Sequence, residues 1–352
     1  MKVLHVINNL GSGGAEKMLI DFINYQKDNE IDVLLLVDNK ISYSLPSEFN
    51  YKVLSKTNKR FSFIKLYKLY KFIRKNNYDI IHAHLFPTQY YVALVKLFLG
   101  NNIKIITTEH NTTNNRRKNW LFRQIDIFIY SIYDKIIFIS EGVKEQFIKD
   151  FHKFKNKGIV IPNGINLTEY YKIKKQINSQ KIKLLMVARF DKQKDHKTLI
   201  KALNLLDEKY TLSLAGKGEN LEKIKNLVKK NHLENRVKFL GFVKDIKKIY
   251  QTHDIFILSS NWEGFGLVVI EAMAAGLPVI ASNVAGLREI VSNSGILFEK
   301  GSPNELATKI KEIGEDVNAR KKIIDVGKKH AQKYSVENLV KLTNKLYKEV
   351  LG

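Results

Sequence analysis

Two parallel, doubly wound α/β domains are the fold class this sequence predicts, and three observations predict it. The 352 residues exceed one ordinary core, so two domains of about 150–200 residues are expected. Short apolar runs alternate with amphipathic helical stretches from the first residue, and the series restarts after a break at Pro162-Asn163-Gly164. A hydrophobic content of 44%, only five prolines and no low-complexity tract suit globular structure and leave little room for long linkers.

The elements follow in order. Residues 2–8 form a short apolar strand, 11–14 a glycine loop, and 15 to about 26 an amphipathic helix; 31–37 is a continuous buried-strand run. Further strands are expected at 79–83, 104–108, 135–139 and 158–161, before a polar connection at 172–180. The second series has strands at 184–188, 210–215, 237–240, 254–258 and 278–281, with helices at 197–206, 221–231 and near 267–275. Such sheets bind ligands beyond the C-terminal ends of their strands, so a cleft between the two domains is the expected site.

Composition removes several function classes. The absence of cysteine excludes a disulfide scaffold, a cysteine nucleophile and thiolate zinc sites. The first ten residues have too short an apolar run for a signal peptide, and no stretch reaches the roughly 18 apolar residues of a membrane span, so a cytoplasmic protein is expected. Fifty-nine Lys+Arg against 35 Asp+Glu give a net charge of +24, which favours an anionic partner. Both halves share the excess, and it peaks at residues 51–75, with nine Lys/Arg and no acid. Within that stretch, 61–77 reads as a helix with Phe63, Leu66, Tyr70 and Ile73 on one packed stripe. Lys65, Lys68 and Lys71 then fall mostly on other faces, as in a basic helix lying on an anionic membrane. Solvated lysines over a packed stripe are compatible with the same pattern.

The candidate chemistry lies at strand ends. GSGGAE at 11–16 joins a strand to a helix, where Gly13 and Gly14 let a phosphate approach the backbone. Glu16 stands at the last glycine of a dinucleotide fingerprint, so the dehydrogenase reading fails. His82 and His84 share a strand face and are expected to pack or hydrogen-bond rather than hold a metal. His110 follows the strand that ends at Thr108, in TTEHNT, a position open to a structural or a catalytic histidine. Arg189 and Lys194 lie just beyond the first strand of the second series, well placed to neutralise a diphosphate. Glu263 precedes the turn Gly264-Phe265-Gly266, which opens an apolar helix containing Glu271. On one regular helix these carboxylates would stand about 12 Å apart along the axis and about 80° apart around it. That does not suit the paired carboxylates of a hydrolase, roughly 5–9.5 Å apart. Glu263 is expected in the loop at the helix mouth, and Glu271 inside, where it needs a hydrogen-bonding partner such as a ribose or sugar hydroxyl.

These residues resemble glycosyltransferase family 4, retaining enzymes with the GT-B fold. The E-x7-E element from Glu263 to Glu271 in EGFGLVVIEAMAAGLPVIAS is the most specific part, supported in order by GGAE (13–16), HAH (82–84), EH (109–110), PNGI (162–165), ARFDKQK (188–194) and the final YSVENLVKLTNKLY. The resemblance implies an acceptor domain at 1–170, onto which 336–352 packs back, and a nucleotide-sugar donor domain at 171–335. It implies that Arg189 and Lys194 bind the donor diphosphate and Glu271 the ribose. Glu263, with the backbone of Phe265, Gly266, Leu267 and Val268, positions the sugar. Gly13 and Gly14 approach donor phosphate or acceptor, His110 sits beside the donor sugar, and the loop 241–243, with Val243, lies near the nucleobase. No cofactor or metal is expected, since D-x-D is absent and Arg189 and Lys194 supply the positive charge. The sequence departs from the family at Asp195, where glycine is common, at Asn166, where aspartate is frequent, and at Val336, where an aromatic is frequent.

The expected reaction is transfer of a hexose-type sugar from a nucleotide-sugar, with UDP the favoured base over GDP. The expected acceptor is a glycan or polyprenyl-pyrophosphate-linked, in bacterial surface polysaccharide synthesis at the cytoplasmic face of the membrane. Arg116, Arg117 and Lys118, with Trp120, are expected to face that acceptor or the lipid surface. The alternatives are a sugar-nucleotide epimerase on the same fold and a basic nucleic-acid-binding protein. The latter lacks a recognition-helix or RNA signature and leaves Glu263 and Glu271 unexplained, so no nucleic-acid partner is expected.

Overall fold

The computed structural model describes residues 1–11, 13–38, 51–56, 59, 61–100, 102–110, 117, 119–173 and 181–352. It divides into two compact units, Met1–Gly164 with Val336–Gly352, and Ile165–Ser335. Residues 165–170, expected with the first domain, pack in the second. The Ile165 N–H donates to the Tyr334 carbonyl at 3.0 Å, and the Tyr170 ring meets Tyr250 edge-on.

The first unit is a seven-stranded parallel sheet: β1 (Lys2–Ile7), β2 (Glu30–Leu35), β3 (Tyr51–Val53), β4 (Ile80–His84), β5 (Lys104–Glu109), β6 (Lys135–Phe138) and β7 (Gly158–Val160). The spatial order is β3-β2-β1-β4-β5-β6-β7. The order reverses beside β1, where an open sheet of this kind presents its ligand crevice. Helices α1 (Gly14–Tyr25), α2 (Phe63–Asn76), α3 (Thr88–Lys96), α4 (Trp120–Ile132) and α5 (Glu141–Asp150) link the strands. Met18, Leu19, Phe22 and Ile23 of α1 close over β1 and β2, and the last helix of the chain, running from Val336 to Leu351, adds Leu339, Val340, Leu346 and Tyr347 to the same core. A reciprocal pair of hydrogen bonds between the side-chain amides of Gln26 and Asn344, at 2.6 and 3.0 Å, fastens it to the end of α1.

The packed stripe of α2 differs from the one expected. Lys65, Leu69 and Ile73 face inward, while Phe63 is 91% exposed. Eight of the eleven residues from 63 to 73 are apolar or aromatic, so helical period alone does not single out one face. Lys65 enters the interior by its aliphatic stem, and its ammonium donates to the Lys59 carbonyl at 2.8 Å.

The second unit begins with the short α6 (Thr168–Tyr171). Its six parallel strands are β8 (Ile182–Val187), β9 (Tyr210–Ala215), β10 (Val237–Gly241), β11 (Ile255–Leu258), β12 (Val279–Ser282) and β13 (Ile296–Phe298), in the order β10-β9-β8-β11-β12-β13. Helices α7 (His196–Asn204), α8 (Leu221–Lys230), α9 (Ile246–Thr252), α10 (Leu267–Ala274), α11 (Ala285–Val291), α12 (Pro303–Glu315) and α13 (Val317–Ala331) complete it, and α14 (Val336–Leu351) is the returning helix of the first unit. α10 buries Val269 through Ala274, which fits a sequence apolar at every position but Glu271.

Candidate functional site

In the second unit the expected residues converge where β8 and β11 end. The loop from β8 to α7 is laced to the loop from β11 to α10. The Asn261 N–H donates to the Gln193 carbonyl at 2.7 Å, the Gln193 amide to the Trp262 carbonyl at 3.1 Å, and the Ser259 hydroxyl to the Asp195 carbonyl at 3.0 Å. On this scaffold Lys194 and Glu263 form a largely buried ion pair. The second Glu263 oxygen accepts from the Gly264 N–H at 3.3 Å. Arg189 is different: its guanidinium is exposed and pairs with Asp191 at 3.2 Å. Asp195 adopts a left-handed conformation, φ 42°, and caps α7 by accepting from the Thr198 N–H at 3.4 Å, while its second oxygen accepts from the Thr198 hydroxyl at 2.6 Å. Such a backbone favours glycine, and aspartate is one of the few other residues that tolerates it.

Gly266 opens α10 with φ 94°, and a Cβ there would approach Leu287 to 2.6 Å. The positive φ is what favours glycine most, since the near contact is with the end of a leucine side chain. It turns the chain so that the N–H groups of Leu267 and Val268 lie in the first helical turn, which leaves such donors to an anion or a sugar oxygen. The Phe265 side chain is buried edge-on to Tyr334, so its part in any ligand contact falls to its backbone. Glu271, one turn further on, is buried and accepts from the Tyr250 hydroxyl at 3.0 Å. Tyr250, from α9, is a partner that the sequence reading did not find. Burial first, and then the Glu271 charge, push its hydroxyl well above the usual tyrosine range.

The loops after β9 and β10 also meet. The Gly216 N–H donates to the Gly241 carbonyl at 2.7 Å, and the Lys217 ammonium lies 5.8 Å from the ring centre of exposed Phe242, next to half-buried Val243. Any Cβ on Gly216 or Gly218 would collide with the backbone of Ala188 or Phe190, and one on Gly286 with the backbone of Glu263 and Gly264. These three glycines were missed; a G-K-G directly after a strand was the available signal for Gly216 and Gly218, and Gly286 had none.

In the first unit, Gly13 is the N-cap of α1, Gly14 its first residue, and the half-buried Glu16 carboxylate folds back over Gly13. Burial raises the pKa of Glu16. His82 and His84 do hydrogen-bond, and the register of β1 with β4 places His5 beside them. His82 Nδ1 meets the Tyr347 hydroxyl at 2.6 Å and Nε2 the Thr108 hydroxyl at 2.7 Å; His5 Nδ1 meets His84 Nε2 at 2.9 Å. The three rings offer nitrogens within 4.8 Å of one another, but only His84 Nδ1 of the six lacks a hydrogen-bond partner. Burial holds all three neutral, His5 at about 3. His110 follows the end of β5, its ring centre 6.2 Å from that of His84, with a buried Nε2 that has no partner. Its burial lowers the pKa to about 4, so the imidazole is neutral near pH 7.

Arg117 is a correction. Expected at a lipid or acceptor surface, it is buried, with Glu109 at 2.8 Å and Asp126 and Asp150 each at 3.7 Å. Its guanidinium lies over the rings of Phe147 and Phe151, at 4.9 and 5.2 Å. Burial works against the charge, but Glu109, Tyr130 and Asp126 outweigh it and hold the pKa above the usual arginine value. Tyr130 adds a 2.6 Å bond to Glu109, the residue before His110. Arg117 therefore braces the end of β5. Lys65 is likewise buried, as described above, and is not available to lipid. Lys68 and Lys71 are exposed; Lys68 donates to the Leu54 carbonyl at 3.3 Å, and Lys71 sits over the Tyr67 ring. Arg116 and Lys118 lie outside the described residues.

Two doubly wound parallel sheets, one with a basic pair and an E-x7-E element at its strand ends, make this a GT-B glycosyltransferase. A family model described as Glycosyltransferase Family 4 matches residues 12–169, and one described as Glycosyl transferases group 1 matches residues 168–330. The chain is 31% identical to an uncharacterized glycosyltransferase of Methanocaldococcus jannaschii over 82% of its own length and 80% of the relative's. It is 27% identical, over 98% of both chains, to the N-acetylgalactosamine-N,N'-diacetylbacillosaminyl-diphospho-undecaprenol 4-alpha-N-acetylgalactosaminyltransferase of Campylobacter jejuni. The crystal structure of Anabaena Alr3699/HepE in complex with UDP superposes with a TM-score of 0.85 at 23% identity, covering 99% of this chain and all of that one. The chain belongs to glycosyltransferase family 4.

Proposed function

We propose that the protein moves a hexose-type sugar, N-acetylated or not, from a UDP-sugar to a polyprenyl-diphosphate-linked glycan, with retention of anomeric configuration and without a metal. The observation that carries the reading is the arrangement around α10. Lys194 is held at the helix mouth by Glu263, Glu271 is buried one turn in, and Gly266 turns the backbone between them. Arg189 and Lys194 neutralise the diphosphate and so stabilise the leaving group as its bond to the anomeric carbon breaks. Glu271 takes the ribose hydroxyls. Glu263 and the backbone from Phe265 to Val268 orient the sugar, and Val243 with its loop faces the base. In the first unit, neutral His110 contacts the transferred sugar, and Gly13 and Gly14 admit a phosphate or the acceptor.

The undecaprenol-linked acceptor in the name of the Campylobacter relative supports the choice of acceptor, and UDP in the HepE crystal supports the base. No helix among the described residues is long and apolar enough to cross a membrane. A polyprenyl-linked acceptor is met at a membrane surface, where exposed Lys68 and Lys71 would be drawn to anionic headgroups. The test is UDP release from UDP-glucose, UDP-galactose and their N-acetylated forms, with an undecaprenyl-diphosphate-linked N-acetylhexosamine as acceptor. A lipid-linked disaccharide with an α linkage is the expected product. Release of sugar epimer without acceptor, or no turnover with any donor, would overturn the reading.

A further inference from the structure

Thirteen of the eighteen large apolar side chains that stand exposed among the described residues fall between residues 51 and 128. They concentrate on the helices α2 and α4. In α4 the inward face is Asp126, Ile129 and Tyr130. A second apolar stripe, Leu121, Ile125 and Phe128 at i, i+4 and i+7, points out to solvent, with Trp120 at 72% exposure and Phe122 beside it. At the start of α2, Phe63, Ile64 and Tyr67 are also exposed.

These stripes belong to one surface. α3 packs against both α2 and α4. Its first turn holds the start of α2 through the Ser62 N–H, which donates to the Tyr91 hydroxyl at 2.6 Å, and it holds α4 through the Tyr90 hydroxyl on Asp126. Exposed Leu97 and Phe98 follow the other end of α3. Across the three helices the single acidic residue is Asp126, which is buried, whereas Lys68, Lys71, Arg74, Lys75 and Arg123 are all exposed. An apolar face with a cationic rim and no exposed acid matches an anionic lipid interface, where the headgroups lie above the acyl chains. It does not match a second copy of this chain, whose net charge of +24 would set cations against cations.

We propose that this face inserts into the interface of an anionic bilayer: Trp120, Leu121, Ile125 and Phe128 of α4, with Phe63 and Ile64 of α2, enter the boundary of the acyl chains, and the lysines and arginines around them meet lipid phosphates. The inference deepens the reading of a membrane-borne acceptor and rests on it. It adds that attachment is apolar as well as electrostatic and that α4 leads the contact.

The chain has two tryptophans, so a Trp262→Phe variant leaves Trp120 as the sole indole reporter. With vesicles of phosphatidylcholine and phosphatidylglycerol, Trp120 emission is expected to shift to the blue and to be quenched by bromine-labelled acyl chains. An Ile125→Ser/Phe128→Ser double variant, altered only at exposed positions, is expected to lose at least about tenfold in vesicle partitioning and to do so in high salt too. A Lys68→Gln/Lys71→Gln variant is expected to lose binding in low salt only. Unshifted Trp120 on protein that still pellets with vesicles, weakened by the lysine changes, would overturn insertion while leaving electrostatic attachment standing. No pelleting under any condition would overturn both. A dimer in sedimentation equilibrium that the serine variant breaks would make this face a contact between copies and overturn the lipid assignment. Trp120 insertion without UDP release onto the lipid-linked acceptor would sink the proposed reaction alone.

Discussion

Replacing Arg117 by methionine discriminates sharply between the position its sequence suggests and the one it occupies. In a run of three cations, RRK, an arginine reads as solvated, and its loss would cost within about 0.5 kcal/mol. The structure instead buries it between Glu109 at 2.8 Å, Asp126 and Asp150 at 3.7 Å, and two phenylalanine rings. Removing one partner of a buried ion cluster costs about 3–5 kcal/mol, because the remaining carboxylates stay desolvated without compensation. The side chain of Asp150 is 32% exposed and can turn to water, which places the expected loss toward the lower end of that range. Methionine keeps much of the contact with Phe147 and Phe151, so the loss reports charge rather than volume. The assay is urea unfolding followed by aromatic circular dichroism, with the Arg117→Met/Glu109→Gln double variant completing a cycle. Coupling of about 1–3 kcal/mol between the two positions is expected. A single variant within 0.5 kcal/mol of the parent, or strictly additive effects, would refute the buried cluster.

Other consequences concern pH and the donor site. His5, His82, His84, His110 and His196 are all held neutral by burial, with values of about 3 for His5 and about 4 for His110 and His196. As pH falls from about 6.5 toward 4, the unfolded chain takes up protons that the folded chain refuses, so stability declines through that window. Thermal melts should show it, and a flat profile between pH 7 and 4.5 would contradict the buried histidines. Gly266→Ala should cost roughly 1–3 kcal/mol from its positive φ, plus overlap with Leu287, and should weaken UDP binding; a neutral effect on both would remove the special turn. Tyr250→Phe takes a donor from buried Glu271 and should cost about 1–3 kcal/mol, read by urea unfolding, against no change if that bond is unimportant.

The alternation of strands and helices was readable because both sheets are parallel and their strands are continuous apolar runs. The cluster at the strand ends of the second unit was readable because glycines and carboxylates interrupt such runs only where something holds them. What stayed hidden depended on long-range pairing. His5 joins His82 only through the register of β1 with β4, and Tyr250 reaches Glu271 from a helix that gave no sign of its partner. The inward face of α2 was ambiguous because apolar residues occupy nearly every position that lysine does not. Arg117 did have a signal in Asp126, the single acid of WLFRQIDIFIYSI and set among apolar neighbours, since a buried carboxylate demands a cation. Asp195, a departure from the family, fits by a route that composition does not display, a left-handed backbone that also caps α7.

The central claim is a nucleotide-sugar donor site in the second unit built on Lys194, Glu263 and Glu271, and calorimetric titration tests it most directly. Purified protein is titrated with UDP and with GDP in the presence of EDTA, beside the Glu271→Ala variant. The account predicts that UDP binds without divalent metal and that the variant, folded by circular dichroism, binds at least about tenfold more weakly, since a hydrogen bond to a charged group is worth roughly 1.5–3 kcal/mol. Absence of UDP binding by the parent protein, or unchanged affinity in the folded variant, would contradict it.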